Sequence, residues 1–181
     1  IEASLVLAQK WAERRRKLLL IAPATLRKQW SQELEEKFSL PSMIMEAKSF
    51  NESKKAGVAN PFDLERASGK PAICICSYEF AARKEPELQR IPWDLVVMDE
   101  AHKLRNVYKS DGAKTAKVLD NALMGIKKVL LSATPLQNSM LELYGLVSII
   151  DPHFFGDLPS FKARYGRQQL DQVELALLRD R

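Results

Sequence analysis

The sequence has 181 residues, room for one ordinary domain. Apolar residues make up 46% and charged residues 28%, which excludes a wholly disordered or fibrous chain. Lysine and arginine number 28 against 23 acidic residues, a net +5 that suits a polyanionic partner such as nucleic acid without requiring one. No apolar run approaches the roughly 18 residues that span a bilayer, so no membrane partner is expected.

The N-terminal stretch places its charges after its apolar part, the reverse of a secretory signal. It opens on Ile1 rather than Met, so a piece of a longer protein is expected. Two cysteines, Cys74 and Cys76, are too few to staple a fold or to complete a four-ligand metal site. They sit on one side of an expected strand and read as reduced core residues.

In chain order, Ile1, Leu5, Ala8, Trp11 and Ala12 share one helical face, so 1–15 reads as a helix. KLLLIAP (17–23) is a short buried strand that stops at Pro23. Leu26, Trp30, Leu34 and Phe38 recur every four residues, an amphipathic helix whose stripe assigns Trp30 to the core. SMIMEA (42–47) has strand character. The polar segment 48–71 reads as a surface excursion with room for a short helix.

AICICSY (72–78) is the next strand, and a helical pattern follows over 79–90 until Pro92. DLVVMDE (94–100) is a continuous apolar run ending in two carboxylates. Residues 109–123 are helical in pattern, and KKVLLSATP (127–135) is a further strand stopped by Pro135. Met140, Leu143, Tyr144, Val147 and Ile150 form a helical stripe ended by Asp151-Pro152, and 157–181 reads as two short helices. Strands alternating with helices predict an α/β fold with a parallel sheet. Its ligands are then expected beyond the C-terminal ends of the strands.

The strand at 94–98 delivers Asp99, Glu100, Ala101 and His102 to that edge. A magnesium–nucleotide site needs hard oxygen ligands, so Asp99 suits the metal side. A neighbouring carboxylate can deprotonate an attacking water, which suits Glu100. Capping of the following helix is the structural alternative for both. Ser132 and Thr134 can hydrogen-bond the acidic loop or simply cap the next helix. The basic run Arg14 to Lys17 reads as a solvated face, and His153 and the Lys54-Lys55 pair carry no functional assignment.

DEAHKLRN, then LSATPLQN about thirty residues on, with LLIAPATLRKQW upstream, form an ordered set on three strand ends. This resembles the N-terminal RecA-like lobe of superfamily-two helicases, and within them the Swi/Snf (Snf-two) family of DNA translocases. DEAHKLRN is similar to motif II, LSATPLQN to motif III with its LQN extension, and APATLRKQW to motif Ia. SYEFA (77–81) resembles the next motif, and LELYGLVSIIDPHFFGDLPSFKARYG the stretch after motif III. The resemblance runs from residue 1 to about 167.

It implies a RecA-like three-layer α/β/α sandwich with a mostly parallel sheet. The family's P-loop, G-x-x-x-x-G-K-[ST], occurs nowhere in the 181 residues. The sequence reads as the family continues directly after it, so a fragment lacking the P-loop strand is expected, with strand 128–131 as an open edge. Residues 1–156 would be a partial ATP-binding lobe, and 157–181 a helical extension toward a missing second RecA-like lobe.

The resemblance further implies ATP and Mg²⁺ as ligands of the intact motor and duplex DNA as its track. Asp99 would hold Mg²⁺ and Glu100 would activate water. His102, Ser132, Thr134 and Gln137 would couple nucleotide state to the rest of the machine. DNA phosphates would meet Thr25, Arg27, Lys28 and Gln29, with Ser77, Tyr78 and Arg105 as further contacts. Location would follow the source: cytoplasmic and nucleoid-associated in a prokaryote, nuclear in a eukaryote. The competing reading is a module that binds nucleic acid or a partner without hydrolysis, which the isolated fragment would be in practice.

Overall fold

In a computed structural model the described residues are 2–109, 114–134 and 139–165. Five parallel strands form one sheet in the order β2-β3-β1-β4-β5. They are β1 (Leu18–Ile21), β2 (Ser42–Ile44), β3 (Ile73–Cys76), β4 (Leu95–Met98) and β5 (Lys128–Leu130). The three inner strands, β1, β3 and β4, are buried at every position. That explains their continuous apolar runs, because a parallel sheet is covered on both faces.

Strand alternation splits the core in two. Leu18, Leu20, Ile73, Ile75, Leu95 and Val97 face one layer, made by α1 (Glu2–Ala12) and α2 (Arg27–Phe38). Leu19, Ile21, Cys74, Cys76, Val96 and Met98 face the other. That second layer holds α3 (Ala47–Lys55), α4 (Leu64–Ser68), α5 (Tyr78–Arg83), α6 (Glu85–Gln89), α7 (Lys114–Ala122) and α8 (Met140–Ile150). The result is the expected α/β/α sandwich. Beyond it, α9 (Leu158–Tyr165) packs on α8, with the Phe161 and Tyr144 ring centroids 4.9 Å apart. Among the described residues no helix is long and apolar enough to cross a membrane.

Several sequence expectations need correction. The 48–71 segment lies largely at the surface as expected, but it is more ordered than a loop and is anchored inward. It supplies α3 and α4 and sends Phe50, Phe62 and Leu64 into the core, where Phe50, Phe62, Phe80 and Trp93 form an edge-on aromatic cluster. Those apolar residues follow no single helical period, so the polar composition dominated the reading. The helix expected over 79–90 is two, because Pro86 cannot continue α5 and instead opens α6.

The inward face of α1 is Ala3, Ser4 and Leu7, while Leu5 is 55% exposed. The α8 face is rotated as well: Glu142, Gly145, Leu146 and Ile149 are buried and Ile150 is exposed. The basic run is partly structural. Arg15 pairs with Asp94, Arg16 lies 4.3 Å over the Trp11 ring, and Lys17 pairs with Asp63. Strand β5 lies at the sheet edge with β4 as its neighbour, in line with the open edge expected there.

Candidate nucleotide and nucleic-acid site

All five strands end on the same side of the sheet, and the chain reverses its strand order around β1. Such a switch point opens a crevice at the C-terminal edge. The exits of β1, β3, β4 and β5 are stitched together there. Asp99 donates its amide to the Ile21 carbonyl at 2.8 Å, Ala22 to Cys76 at 3.1 Å, and Ala101 to Leu131 at 2.8 Å.

Asp99 is held on every side. Its Oδ1 accepts the Glu100 amide at 2.9 Å, and its Oδ2 accepts the Trp30 indole Nε1–H at 2.7 Å. Its carbonyl accepts the Tyr78 hydroxyl at 2.7 Å. Glu100 has φ 53° and ψ 44°, the left-handed region that non-glycine residues avoid. The kink turns the chain sharply out of β4 into a short 3₁₀ turn, Ala101–Leu104. His102 Nδ1 stands 3.1 Å from Glu100 Oε2, yet it is buried and makes no hydrogen bond among the described residues. The two atoms are close without being aligned.

The residues present fit the cation side of a magnesium–nucleotide site. Two adjacent carboxylates, hard-oxygen donors, sit partly exposed at the sheet edge. Nothing in the sequence supplies the glycine-rich cradle that would take the phosphates. The cation would be taken by Asp99 and supply charge neutralisation at the phosphate.

Beside the acidic pair, the Thr134 amide donates to the Ser132 hydroxyl at 3.2 Å, a local turn at the exit of β5. Gln137 lies outside the described residues.

The loop after β1 leads into α2. Its N-cap position, Leu26, offers no side-chain cap, and the first turn carries no acidic residue. Open amides with Thr25, Arg27 and Lys28 beside them suit an anion. Thr25, Lys28 and Gln29 are exposed. A pocket of about 380 Å³ is lined by Ala24, Thr25, Arg27, Lys28, Ile44 and Glu46. Arg27 is already engaged, 3.6 Å from Glu46 and donating to the Ala24 carbonyl at 3.2 Å. Gln29 turns away from that pocket. It lines a second one of about 200 Å³ with Leu26, Trp30, Glu33 and Asp99. There the Ser4 hydroxyl donates to Glu33 at 2.6 Å and holds its carboxyl below the usual value.

Of the three residues expected as further DNA contacts, Ser77 and Tyr78 are buried, and Arg105 is partly exposed and paired. Ser77 is buried and its Oγ caps α5 by accepting the Phe80 amide. Tyr78 is 2% exposed, and burial pushes its phenol far up. Arg105 Nε lies 3.5 Å from the Oε1 of buried Glu142. The motif resemblance suggested contact with DNA, while the position of Ser77 and Tyr78, directly after buried β3, commits both to packing. Trp30 packs partly buried against the core, as its stripe predicts, and its N–H also reaches Asp99. The signal was present, since a tryptophan N–H near the interior needs an acceptor.

A parallel sandwich with a pinned aspartate and a strained glutamate at one strand end defines an α/β lobe of the RecA-like class. The SNF2-related domain model matches residues 3–179, and the chain belongs to that family. It is 31% identical over 175 residues to an uncharacterized ATP-dependent helicase, YqhH, of Bacillus subtilis strain 168, covering 93% of this chain and 27% of the relative. It is 30% identical over 188 residues to the RNA polymerase-associated protein RapA of Serratia proteamaculans strain 568, covering 100% of this chain and 19% of the relative. The chain thus spans about a quarter or less of these relatives. The SWI2/SNF2 ATPase core of Sulfolobus solfataricus, solved in complex with dsDNA, shares the fold at a TM-score of 0.63 and 22% identity, over 86% of this chain and 30% of that one.

Proposed function

We propose that the chain is part of an ATP-driven motor that moves along duplex DNA. The observation that carries this is the pair Asp99–Glu100, delivered by β4 to the crevice with Asp99 fixed by Trp30, Glu100 and Tyr78. Membership of a family with a relative named as an ATP-dependent helicase supports it, as does a fold shared with an ATPase core held on dsDNA.

In this reading Asp99 takes Mg²⁺ only together with nucleotide. Glu100 accepts the proton of the attacking water. His102, beside it, couples nucleotide state toward Ser132 and Thr134, whose strand exit is bonded to Ala101 through Leu131. Gln137 belongs to the same coupling. Thr25, Lys28 and the first-turn amides of α2 hold one DNA strand by its phosphates, with Arg27 and Gln29 at the margins. Phosphate cradle and arginine finger would come from a longer parent with a second lobe. The 181 residues alone then hydrolyse ATP negligibly.

The second reading is a binding module without hydrolysis. It is favoured for the isolated chain by the missing phosphate cradle. Steady-state ATP turnover by the parent separates the two, measured with no nucleic acid, duplex DNA, single-stranded DNA and RNA. Stimulation by duplex that disappears in Glu100→Gln supports the motor. Activity that ignores nucleic acid, or that survives Glu100→Gln, overturns it.

A further inference from the structure

We propose that Trp30 is a positioning residue that ties the phosphate-binding turn of α2 to the metal-side carboxylate. The inference rests on the motor reading above and deepens it. Three observations carry it. First, the indole Nε1–H donates to Asp99 Oδ2 at 2.7 Å, a short bond to a charged acceptor. An indole is a donor only, so the bond has one direction and fixes which way the carboxylate turns. Second, Trp30 lies in the first turn of α2, three residues after Arg27, and its amide bonds back to Leu26. Exposed Lys28 belongs to the same helical turn, and exposed Thr25 stands directly before its N-cap, Leu26. Third, that turn is the wall between two pockets. Thr25, Arg27 and Lys28 line the basic one, while Leu26, Gln29 and Trp30 line the one that opens on Asp99.

Packing alone explains an apolar ring at position 30. It does not explain why the ring's one polar atom is aimed at the acidic residue of the site. A helix turn is stiff, so seating a phosphate on its N-terminal side displaces the indole with it. The carboxylate held by that indole must follow. Track binding is thereby reported to the metal side through one side chain.

The indole ¹H–¹⁵N resonances of the 181-residue chain test this. Trp11, Trp30 and Trp93 give separate signals, and loss of one in Trp30→Phe assigns it. Asp99→Ala should move the Trp30 signal to the position of an unbonded indole and speed its exchange with solvent. If that variant does not fold, Asp99→Asn replaces a charged acceptor by a neutral one, and a smaller move in the same direction is expected. A short DNA duplex is then added at low salt. The backbone amides at 24–28 and the Trp30 indole should shift with the same saturation curve, and the indole shift should shrink when the Asp99 carboxylate that accepts its bond is removed.

Amides that shift while the indole stays still overturn the link and leave the DNA reading standing. An indole signal indifferent to Asp99 replacement also overturns it. A duplex that perturbs no residue removes the DNA reading, and the link with it.

Discussion

The backbone of α8 at Gly145 meets the carbonyl of Arg105 so closely that a Cβ there would stand 2.1 Å from its oxygen and 3.0 Å from its carbon. This is where α8, which follows the LSATPLQN segment, rests on Arg105 of the DEAHKLRN segment. Alanine normally improves a helix interior by about 1 kcal/mol over glycine. Here the obstacle is backbone, which cannot swing aside as a side-chain end would. Gly145→Ala is therefore expected to destabilise by about 1–3 kcal/mol, as other overpacked sites do. Thermal melting of the chain reads this as a fall of several degrees. A melting temperature equal to or above that of the unmodified chain would refute the close approach.

The same contact holds an ion pair. Glu142 is 5% exposed, and Arg105 Nε lies 3.5 Å from its Oε1. Removing one partner of a buried pair leaves the other charge desolvated, whereas neutralising both is far milder. Arg105 is partly exposed, so solvent softens the loss, and Arg105→Met alone is expected to cost about 2 kcal/mol. Arg105→Met with Glu142→Gln should recover much of that cost. Denaturant unfolding of the two single variants and the double variant forms the cycle. Strict additivity would mean that the pair contributes no coupling.

Glu100 stores strain in a different form. A left-handed backbone costs a non-glycine residue about 1–2 kcal/mol, part of which glycine regains. Glu100→Gly is expected to raise stability by about 0.5–1 kcal/mol, and Glu100→Gln to leave it nearly unchanged. Both should abolish turnover in the parent. A stabilised but inactive variant is what a strained catalytic residue predicts. A melting temperature lower for the glycine variant than for the glutamine variant would count against it.

How far the sequence discloses this molecule depends on the element. The runs at 18–21, 73–76 and 95–98 were legible because a strand covered on both faces must be apolar at each position. The DE pair was legible because it follows such a run directly. The buried face of α8 was not. It contains a glutamate and a glycine, Glu142 and Gly145, which any hydrophobicity pattern assigns to solvent. Their burial follows from Arg105, a residue nearly forty positions away. Phe50 and Phe62 were obscured by the polar residues around them, since what buries them is Phe80 and Trp93 from later in the chain. At Ser77 and Tyr78 a motif match suggested contact with DNA, but the first residues of α5 point inward to Phe80 and Asp99. Local pattern fixes elements; long-range partners decide which side of an element is inside.

The two cysteines give the molecule a pH dependence with a definite sign. Cys74 and Cys76 face one core layer from β3, and burial raises both thiols, Cys76 to about 12 and Cys74 well above its ordinary value. In the unfolded chain they ionise near their free value of about 8.5. Between those limits the folded state holds protons that the unfolded state has released, so stability must fall as pH rises. Their contribution is complete below about pH 8.5 and declines by about 1.4 kcal/mol per pH unit for each thiol once the unfolded form is ionised. Tyr78, raised by the same burial, adds to the slope above about pH 10. Urea unfolding at a series of pH values from neutral to alkaline should show this decline. Cys76→Ala should start from a lower stability because of the cavity it leaves, yet fall less steeply above pH 9 or so. Parallel slopes for the two proteins would show that the Cys76 thiol ionises as readily folded as unfolded.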